Sequence, residues 1–353
     1  MNPNPEAKLR WALFGPGQIA EVFASALARS GAGTAVSVLG RNPEKTRAFA
    51  ARHGLRAEAD AQAALAGADA VYIATPHSLH HAMTLQALQA GVAVLCEKPY
   101  SLRAADAAEA VALSQQLRVP FAEAWMYRAH PGMARLCGLI RSGDMGPLRN
   151  IASWFGFNAP DNGSCPRLFD PAHGGGAIWD VGGYPLSAAM LMAGAAAGSD
   201  WAAPESMRCS RRESPAGVDL ASHAQLRFAG GLTADLNCAI DTDWGMGLTL
   251  TFAEGAVRVP DPFLAEGKRM GRAMHLNSMS MAAPPSRQEI KADEDVYTLE
   301  IRAFSRAVAA GALCWEAPMV GHGETVALAG ALETWRTQAC DDTEYFNQPL
   351  VHA

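Results

Sequence analysis

The feature that most constrains this chain is a rhythm in its first third, where short apolar runs alternate with helical patterns. The predicted strands are the apolar runs at residues 9–14, 34–39, 70–74, 92–96 and 120–125. Strands that are apolar along nearly their whole length lie in parallel sheets that helices cover on both faces. The rhythm therefore predicts an α/β domain with a doubly wound parallel sheet, the architecture of nucleotide-binding domains.

After about residue 130 the pattern changes to longer segments in which apolar and polar residues alternate. These segments are residues 148–157, 206–212, 222–228, 232–240 and 247–252. Alternation indicates strands with one face in water, and hence a mostly antiparallel sheet. Gly230 and Gly231, between two of the segments, predict a hairpin turn. Residues 260–285 are rich in Gly, Met and Pro, and we expect a long loop there.

The length favours two domains, because a single hydrophobic core stops growing at roughly 250–300 residues and this chain has 353. We predict a dinucleotide-binding domain over residues 1–126. Residues 127–353 are predicted to form an α+β domain for substrate binding and oligomerisation, with an open-faced sheet flanked by helices. Ser101 is expected to cap the helix that ends near Leu117, and the last helix, at 325–338, to pack back on the first domain.

Composition excludes several classes of function. The 29 Lys and Arg residues stand against 35 Asp and Glu, and the net charge of −6 leaves no basic stripe for nucleic acid or anionic lipid. No apolar run approaches the roughly 18 residues of a membrane span, and the first residues carry no signal core. The seven cysteines are scattered without a C-x-x-C pair, which favours free thiols and a cytoplasmic protein.

The segment Gly15-Pro16-Gly17-Gln18-Ile19-Ala20 follows the first predicted strand and opens a helix. It has the pattern G-x-G-x-x-A. In this context the glycines allow a tight turn and a close approach of the backbone, and the helix N-terminus faces a pyrophosphate. We therefore predict dinucleotide contacts at Gly15, Gly17, Gln18 and Ile19.

The residues after the second strand distinguish NADP from NAD. NAD-binding domains place Asp or Glu there to hold the ribose 2′-hydroxyl, whereas this chain has Gly40-Arg41-Asn42, with Lys45 one turn into the next helix. A guanidinium can pair with a 2′-phosphate and stack on adenine. The pattern favours NADP, with Arg41 and Lys45 as contacts. The alternative is that Arg41 is a solvated loop residue and that either cofactor is used.

Further cofactor contacts are predicted where two later strands end, because the carboxyl ends of parallel strands share one edge of the sheet. Thr75, Pro76, His77 and His80 follow one of these strands, and Glu97 and Lys98 end the next. His77, His80 and His81 are close together, but no carboxylate lies near them in sequence to complete a metal site. We predict no metal.

Two more motifs lie beyond the nucleotide loop: Glu97-Lys98-Pro99, and Gly174-Gly175-Gly176-Ala177-Ile178-Trp179-Asp180-Val181-Gly182-Gly183-Tyr184-Pro185. Together with Arg128-Ala129-His130-Pro131, their order and spacing resemble the Gfo/Idh/MocA oxidoreductase family over nearly the whole chain. Tyr184 replaces the commoner histidine, as in the branch of glucose–fructose oxidoreductase, xylose dehydrogenase and dimeric dihydrodiol dehydrogenase. The resemblance implies a Rossmann domain, an open-faced sheet domain, hydride exchange with sugars, polyols or cyclic diols, and a homodimer or homotetramer.

Chemistry supports the same residues. Oxidation of a carbinol requires a base beside the reacting oxygen. Asp180 and Tyr184 are four residues apart and share a face if the glycines lead into a helix. A free tyrosine titrates near ~10, and a neighbouring ammonium lowers that value. Tyr184 is the candidate for proton transfer, with Lys98 tuning it and Asp180 holding a hydroxyl or orienting Lys98. Whether Lys98 or Tyr184 moves the proton stays open.

Substrate contacts are predicted less directly, from polar and aromatic residues in segments that can line a cleft. They are Arg128, Trp154, Arg167 and Trp179, with His130 and Asn158 as further candidates. Two other functions stay open. One is a lyase or hydrolase that keeps and recycles its nicotinamide. The other is an NADP-sensing regulator, against which the retention of Lys98, Asp180 and Tyr184 argues. Substrate identity, stereochemistry and direction are not set by the sequence.

Overall fold

The structure, a computed structural model, describes residues 8–160, 165–263, 272–280 and 284–339. Contacts divide the chain into two compact units. The first unit takes in the chain up to His130 together with Ala292–Val326, and the second takes in Pro131–Lys291 and the chain from Ala327 on. The first unit therefore extends slightly past the expected boundary at residue 126 and includes a segment from near the C-terminus.

The first unit contains a six-stranded parallel sheet in the order β3-β2-β1-β4-β5-β6. Its strands are β1 Leu9–Phe14, β2 Gly33–Leu39, β3 Arg56–Glu58, β4 Ala70–Ile73, β5 Ala93–Glu97 and β6 Phe121–Ala124. The helices between them are α1 Gln18–Ser30, α2 Pro43–His53, α3 Ala61–Leu65, α4 His77–Gln89 and α5 Ala104–Leu117. The strand order reverses between β1 and β4, and the carboxyl edge at such a switch point is where these folds bind ligands.

Aromatic packing joins this sheet to its helices. The ring of Phe23 in α1 stacks on Tyr72 of β4, with centroids 3.7 Å apart, and meets Trp11 of β1 edge-on at 5.2 Å. A later helix, α8 Val296–Ala309, adds Phe304 against Trp11 at 5.5 Å. Trp11, Phe23 and Tyr72 have no exposed surface. Burial of such large rings stabilises the sheet edge from which the nucleotide loop emerges.

The second unit contains an eight-stranded sheet in the order β14-β13-β12-β11-β7-β10-β9-β8. Its strands are β7 Leu148–Asn158, β8 Ser206–Glu213, β9 Asp219–Arg227, β10 Thr233–Ala239, β11 Asp241–Phe252, β12 Gly255–Val259, β13 Ala273–Ser280 and β14 Ser286–Lys291. All neighbouring pairs are antiparallel except β7 with β10, so the predicted mostly antiparallel sheet is confirmed. Helix α6 spans Pro131–Ser142, and α9 spans His322–Thr337.

Helix α7, Gly183–Ala197, packs on β7 and β10 and carries the candidate residue Tyr184 in its first turn. A π-helical turn over Ile178–Gly182 precedes it. The helix is buried from Gly183 to Ala195 because its residues are almost all Ala, Gly, Met and Leu, and it ends at Gly198 in the left-handed conformation. π-Helical turns inside helices occur frequently at functional sites.

Two local expectations were wrong. Within the stretch expected to be a loop, Ala273–Ser280 is strand β13, paired on both sides with β12 and β14; residues 264–271 and 281–283 lie outside the described ranges. Ser101 does not cap α5, whose N-cap is Arg103. The Ser101 hydroxyl instead accepts a hydrogen bond from the Arg103 amide at 3.1 Å, just upstream of the helix. The hairpin turn at Gly230–Gly231 is confirmed, since β9 and β10 pair antiparallel around it.

Candidate functional site

The nucleotide loop between β1 and α1 is shaped by two glycines with different surroundings. Gly15 has φ +97°, and a Cβ there would lie 2.6 Å from the carbonyl oxygen of Ala74 at the end of β4. Only glycine fits that position. Gly17 is the N-cap of α1, and among the described atoms nothing lies within 4 Å of a Cβ built on it. The helix N-terminus thus has an open approach for an anionic group, which fits the pyrophosphate of a dinucleotide.

The residues that follow β2 carry positive charge beside this loop. A Cβ at Gly40 would lie 2.6 Å from Cδ of Pro16, so the two loops are in close contact. The Asn42 side chain caps α2 by accepting a hydrogen bond from the Lys45 amide at 3.0 Å. Arg41 and Lys45 are both exposed. No carboxylate stands among residues 40–42, where NAD-specific domains place one.

His80 in α4 ties two loops together. Its Nε2 lies 2.8 Å from the carbonyl oxygen of Thr75 after β4, and its Nδ1 lies 3.0 Å from that of Pro99 after β5. The imidazole has no exposed surface. We therefore assign His80 to holding the Thr75 and Pro99 loops in place, and do not propose a direct cofactor contact for it. His77 begins the helix, and its side chain is 7% exposed.

Glu97 and Lys98 lie at the end of β5. The Tyr72 hydroxyl donates a hydrogen bond to the Glu97 carboxylate, and the Lys98 amide donates to its other oxygen at 3.2 Å. Burial and the charge of Glu97 raise the pKa of Tyr72 well above its usual value, so this phenol stays a neutral donor. Glu97 and Lys98 are half-buried, so a bound molecule can reach them.

Arg128 lies inside the first unit, with no exposed surface for a ligand to contact. Its fully buried guanidinium forms an ion pair with Glu324, and donates to the Tyr127 hydroxyl at 3.1 Å and to the carbonyl oxygen of Pro318 at 2.9 Å. These contacts are all within the first unit. The arrangement supports the first unit internally, and the substrate contact predicted for Arg128 is not carried further. His130 is also buried.

In the second unit the glycine-rich motif becomes a tight turn into α7. A Cβ at Gly175 would lie 2.6 Å from the carbonyl oxygen of Leu168, and Gly176 has φ +114°. The amide of Asp180 donates to the carbonyl oxygen of Gly176 at 3.0 Å as the π-helical turn begins. The glycines therefore lead into a helix, as the sequence suggested. Asp180 and Tyr184 lie about one turn of this π-helical segment apart.

Asp180 and Tyr184 have defined neighbours. The Asp180 carboxylate pairs with the guanidinium of Arg167 at 2.7 Å, and that guanidinium is partly exposed. The ring of Tyr184, 7% exposed, packs between Phe155 of β7 at 5.4 Å and Phe263 at 5.3 Å. A phenol and a carboxylate–guanidinium pair thus lie on one segment beside aromatic rings. That combination can hold polar hydroxyls and exclude water from a reacting carbon.

The two remaining substrate candidates lie in different places. Trp179 is in the π-helical turn next to Asp180, and only 6% of it is exposed. Trp154 precedes Phe155 on β7, so its side chain points to the opposite face of the sheet. There it covers Gly247 of β11 and lies 6.0 Å from the Arg258 guanidinium. Trp179, Asp180 and Tyr184 thus lie on one segment, Arg167 pairs with its Asp180, and Trp154 lies on the other face of the sheet from Phe155.

Three neighbours of this segment were missed by the sequence analysis: Phe155, Asp219 and Phe263. Asp219 begins β9, three residues before the predicted start of that strand, and is fully buried. The signal that could have identified Asp219 is an acidic residue at the start of a strand in which apolar and polar residues otherwise alternate. Within the described residues, no group of three or more His, Cys, Asp or Glu is placed to hold a metal ion. None of the described helices has the length and apolar character needed to cross a bilayer.

Comparison with known proteins follows the same division of the chain. Residues 9–124 match the family described as "Oxidoreductase family, NAD-binding Rossmann fold", and residues 133–258 match the "GFO/IDH/MocA C-terminal domain". Among curated relatives, a D-xylose 1-dehydrogenase (NADP(+)) of Haloferax volcanii is 29% identical over 75% of this chain and 76% of its own. A dTDP-3,4-didehydro-2,6-dideoxy-α-D-glucose 3-reductase of Streptomyces violaceoruber is 30% identical over 77% of each chain.

Solved structures show the same fold. A 3-ketoreductase from Actinomadura kijaniata, crystallised with TDP-benzene and NADP, superposes with a TM-score of 0.84 at 23% identity, over 95% of this chain and 98% of its own. An aldose–aldose oxidoreductase from Caulobacter crescentus, complexed with glycerol, gives 0.81 at 22% identity, over 93% and 96%. With both family domains matched in order along the chain, this protein belongs to the Gfo/Idh/MocA family of NAD(P)-binding oxidoreductases.

Proposed function

We propose that this protein is an NADP-preferring dehydrogenase or reductase that exchanges a hydride with a CH–OH carbon of a sugar, polyol or cyclic diol. The observation that carries the proposal is the segment that joins Asp180, paired with Arg167, to Tyr184 among phenylalanine rings. Curated relatives named for D-xylose and for trans-1,2-dihydrobenzene-1,2-diol support the substrate class. One of the latter, from Bos taurus, is 29% identical over 72% of this chain.

The proposed chemistry assigns one task to each side chain. A bound nicotinamide supplies the acceptor or donor of the hydride. In the oxidative direction the carbinol carbon loses a hydride and its hydroxyl loses a proton, which the Tyr184 Oη accepts; in reduction Tyr184 returns it. We propose Lys98 as a further catalytic residue, whose ammonium would donate a hydrogen bond to the reacting oxygen. Asp180 accepts a hydrogen bond from a second substrate hydroxyl.

Arg167 supports Asp180 in this scheme. Its guanidinium pairs with the Asp180 carboxylate at 2.7 Å and fixes the direction of that group. Because 39% of the Arg167 side chain is exposed, substrate hydroxyls or water can approach it. We propose Arg167 as a substrate contact on these grounds, and Trp179 as the neighbouring apolar surface.

The aromatic surroundings of Tyr184 refine the substrate class. Phe155 and Phe263 stack nearly parallel, with an interplanar angle of 13° and centroids 6.0 Å apart. Phe155 is half-buried and so offers surface to a ligand. A ring with an apolar face, such as a pyranose or a cyclic diol, suits such a surface better than an extended charged molecule.

The preference for NADP rests on Arg41 and Lys45. Both are exposed beside the loop that Gly15 and Gly17 shape, where an NAD-specific domain has a carboxylate. A guanidinium and an ammonium both bind phosphate, and neither gains comparably from a ribose hydroxyl. We also propose the following cofactor contacts: Gln18, Ile19, Thr75, Pro76, His77, Glu97 and Lys98.

Assembly and location are proposed on separate grounds. We propose a homodimer or homotetramer in which the sheet face that bears Trp154 is covered. That face also carries Met279, which is 61% exposed, and a second copy that covers the face would bury this side chain. We propose a cytoplasmic location because the six cysteines in the described residues are all free thiols.

A substrate panel tests the proposal. The purified protein is mixed with aldoses, ketones of sugars, inositols and cyclic diols, each with NADP(H) or NAD(H), and nicotinamide absorbance is followed. We expect turnover with a neutral cyclic polyol or diol and a kcat/KM for NADP at least ~10-fold above that for NAD. Tight binding of NADP with no net redox turnover on any member of the panel would contradict the proposal, as would a clear preference for NAD.

A further inference from the structure

A buried carboxylate lies behind the turn that carries Asp180 and Tyr184. Asp219, at the start of β9, has no exposed surface. Its Oδ2 accepts a hydrogen bond from the backbone amide of Ile178, the first residue of the π-helical turn, at 2.7 Å. Buried carboxylates are expensive unless they are paired and hydrogen-bonded, so one that is kept in a core has its position determined by its partners.

The same carboxylate also limits the backbone just before the turn. A Cβ at Gly176 would lie 2.2 Å from Oδ1 of Asp219, so the glycine leaves the space that the carboxylate fills. On its other side Oδ1 lies 3.3 Å from Nε of Arg336 in α9. Arg336 is itself held, since it donates to the carbonyl oxygen of Gly217 at 2.6 Å. Asp219 thus links the guanidinium of Arg336 to the amide of Ile178, which is the first amide of the turn.

We infer that Asp219 is a positioning residue for hydride transfer: by holding the Ile178 amide and the Gly176 backbone, it sets where Asp180 and Tyr184 point. The inference rests on the proposed function of Tyr184. The first amides of a helix lack partners within the helix, and here the carboxylate accepts from that of Ile178. Burial raises the pKa of Asp219 to about 6, and the Ile178 amide and the Arg336 charge act in the opposite direction.

Substitution of Asp219 separates its two contacts. Asp219→Ala removes the acceptor, and we expect kcat to fall about 10- to 100-fold with the dissociation constant for NADP unchanged, since displacement of a catalytic group by ~1 Å costs up to 10²-fold. Asp219→Asn keeps an oxygen for the Ile178 amide, and its kcat should stay within about 3-fold of wild type. If Asp219→Ala does not fold, Asp219→Ser is used, because its shorter hydroxyl does not reach that amide.

A matched control is Asp235→Ala. Asp235 lies on β10 in the same sheet and accepts hydrogen bonds from Asn150 at 2.9 Å and from Gln225 at 3.2 Å, but it has no contact with the turn. Its loss should lower the melting temperature without changing kcat. A merely structural role for Asp219 predicts that its variants behave like Asp235→Ala. Equal kcat in wild type, Asp219→Ala and Asp219→Ser would therefore overturn the inference.

The decisive readout is the Asp219 effect in a Tyr184→Phe background. If Asp219 acts through the segment that carries Tyr184, adding Asp219→Ala, or Asp219→Ser if that is the variant that folds, to Tyr184→Phe should lower kcat by a clearly smaller factor than it does in the wild-type background, the remaining loss coming from Asp180. An unchanged 10- to 100-fold loss in that background would contradict the inference. Full activity of Tyr184→Phe alone would instead contradict the proposed function, so the two failures are distinguishable.

Discussion

The loop before α1 in the first unit and the turn before α7 in the second both place a glycine with positive φ ahead of a helix, but they are held differently. At Gly15 the missing Cβ makes room for a backbone carbonyl of the neighbouring strand. At Gly176 it makes room for the carboxylate of Asp219, whose other oxygen binds an amide 41 residues away in sequence. The nucleotide loop is therefore fixed by backbone geometry, and the α7 turn by a side chain that arrives later in the chain.

Because of this difference, we expect the nucleotide loop and the α7 turn to be sensitive to different substitutions. A backbone-built loop tolerates side-chain changes around it and fails when its own glycine changes. A turn held by a buried carboxylate, an arginine and aromatic rings is sensitive to each of those side chains. Substitutions in each region, taken from the largest expected effect to the smallest, test whether the contrast holds.

The largest effect is expected from Gly15→Ala. Its Cβ would collide with the Ala74 carbonyl oxygen at 2.6 Å and the residue would have φ +97°, so we expect the free energy of unfolding to fall by about 2–4 kcal/mol and NADP affinity to fall more than ~100-fold. Gly17→Ala meets no described atom within 4 Å. It should keep the melting temperature within ~2 °C of wild type and weaken NADP alone. Isothermal titration and thermal unfolding measure both, and equal behaviour of the two variants would contradict the account of the loop.

The next effect concerns the cations beside the loop. The double variant Arg41→Ala/Lys45→Ala should lower kcat/KM for NADP about 30-fold, because two charge-assisted contacts to a phosphate are lost, and leave the value for NAD within ~3-fold. Arg47→Ala, an exposed residue of the same helix, is the control and should change neither. Steady-state kinetics with both cofactors provide the measurement. A parallel loss with NADP and NAD would show that the two cations do not recognise a 2′-phosphate.

A smaller effect is expected at Arg167. Arg167→Ala removes the partner of Asp180 at 2.7 Å, and we expect kcat/KM for the substrate to fall about 10-fold with NADP affinity unchanged. Arg167→Lys keeps the charge but not the planar fork, so its loss should be about half as large on a logarithmic scale. Arg227→Ala, an exposed arginine of β9, is the control. Wild-type kinetics in Arg167→Ala would show that the ion pair does not serve the reaction.

The smallest effect is a pH dependence of stability from Asp219. Its pKa in the folded chain is raised to about 6 by burial, above the ordinary value of 3.8, so the folded chain binds this proton more tightly than the unfolded chain. Its contribution to stability therefore increases as pH falls from about 6 towards 4. The groups that face it are Arg336, Arg211 and the Cys238 thiol. The difference in unfolding free energy between wild type and Asp219→Asn should change over this pH range, and a constant difference would contradict the assigned burial.

The same contrast decides how much of the molecule could be predicted. The first sheet follows from local apolar runs; β1 has the bounds that its sequence pattern indicates, and the G-x-G-x-x-A motif marks the nucleotide loop. Strand β13 was missed because Ala273–Ser280 is rich in Met, Ser and His, and it is a strand only because β12 and β14 pair with it.

The sequence analysis was also limited because it could not predict the surroundings of individual side chains. The sequence pattern predicts Arg128 as a ligand contact, yet in the fold it is buried and paired with Glu324, almost 200 residues later. Trp154 and Phe155 are adjacent in sequence and lie on opposite faces of the sheet, so a shift of one residue decides which of them meets Tyr184. A glycine motif can be recognised from a short stretch of sequence. The partners of Arg128 and Tyr184 cannot, because they come from distant parts of the chain that meet only in the fold.

The most direct test of the account is a single-turnover measurement with Tyr184→Phe and saturating NADP and substrate. We expect the rate of hydride transfer to fall at least ~10²-fold while the dissociation constant for NADP stays within ~2-fold of wild type, because the phenolic oxygen is lost and the cofactor loop is untouched. A hydride-transfer rate within ~3-fold of wild type would contradict the assignment of proton transfer to Tyr184.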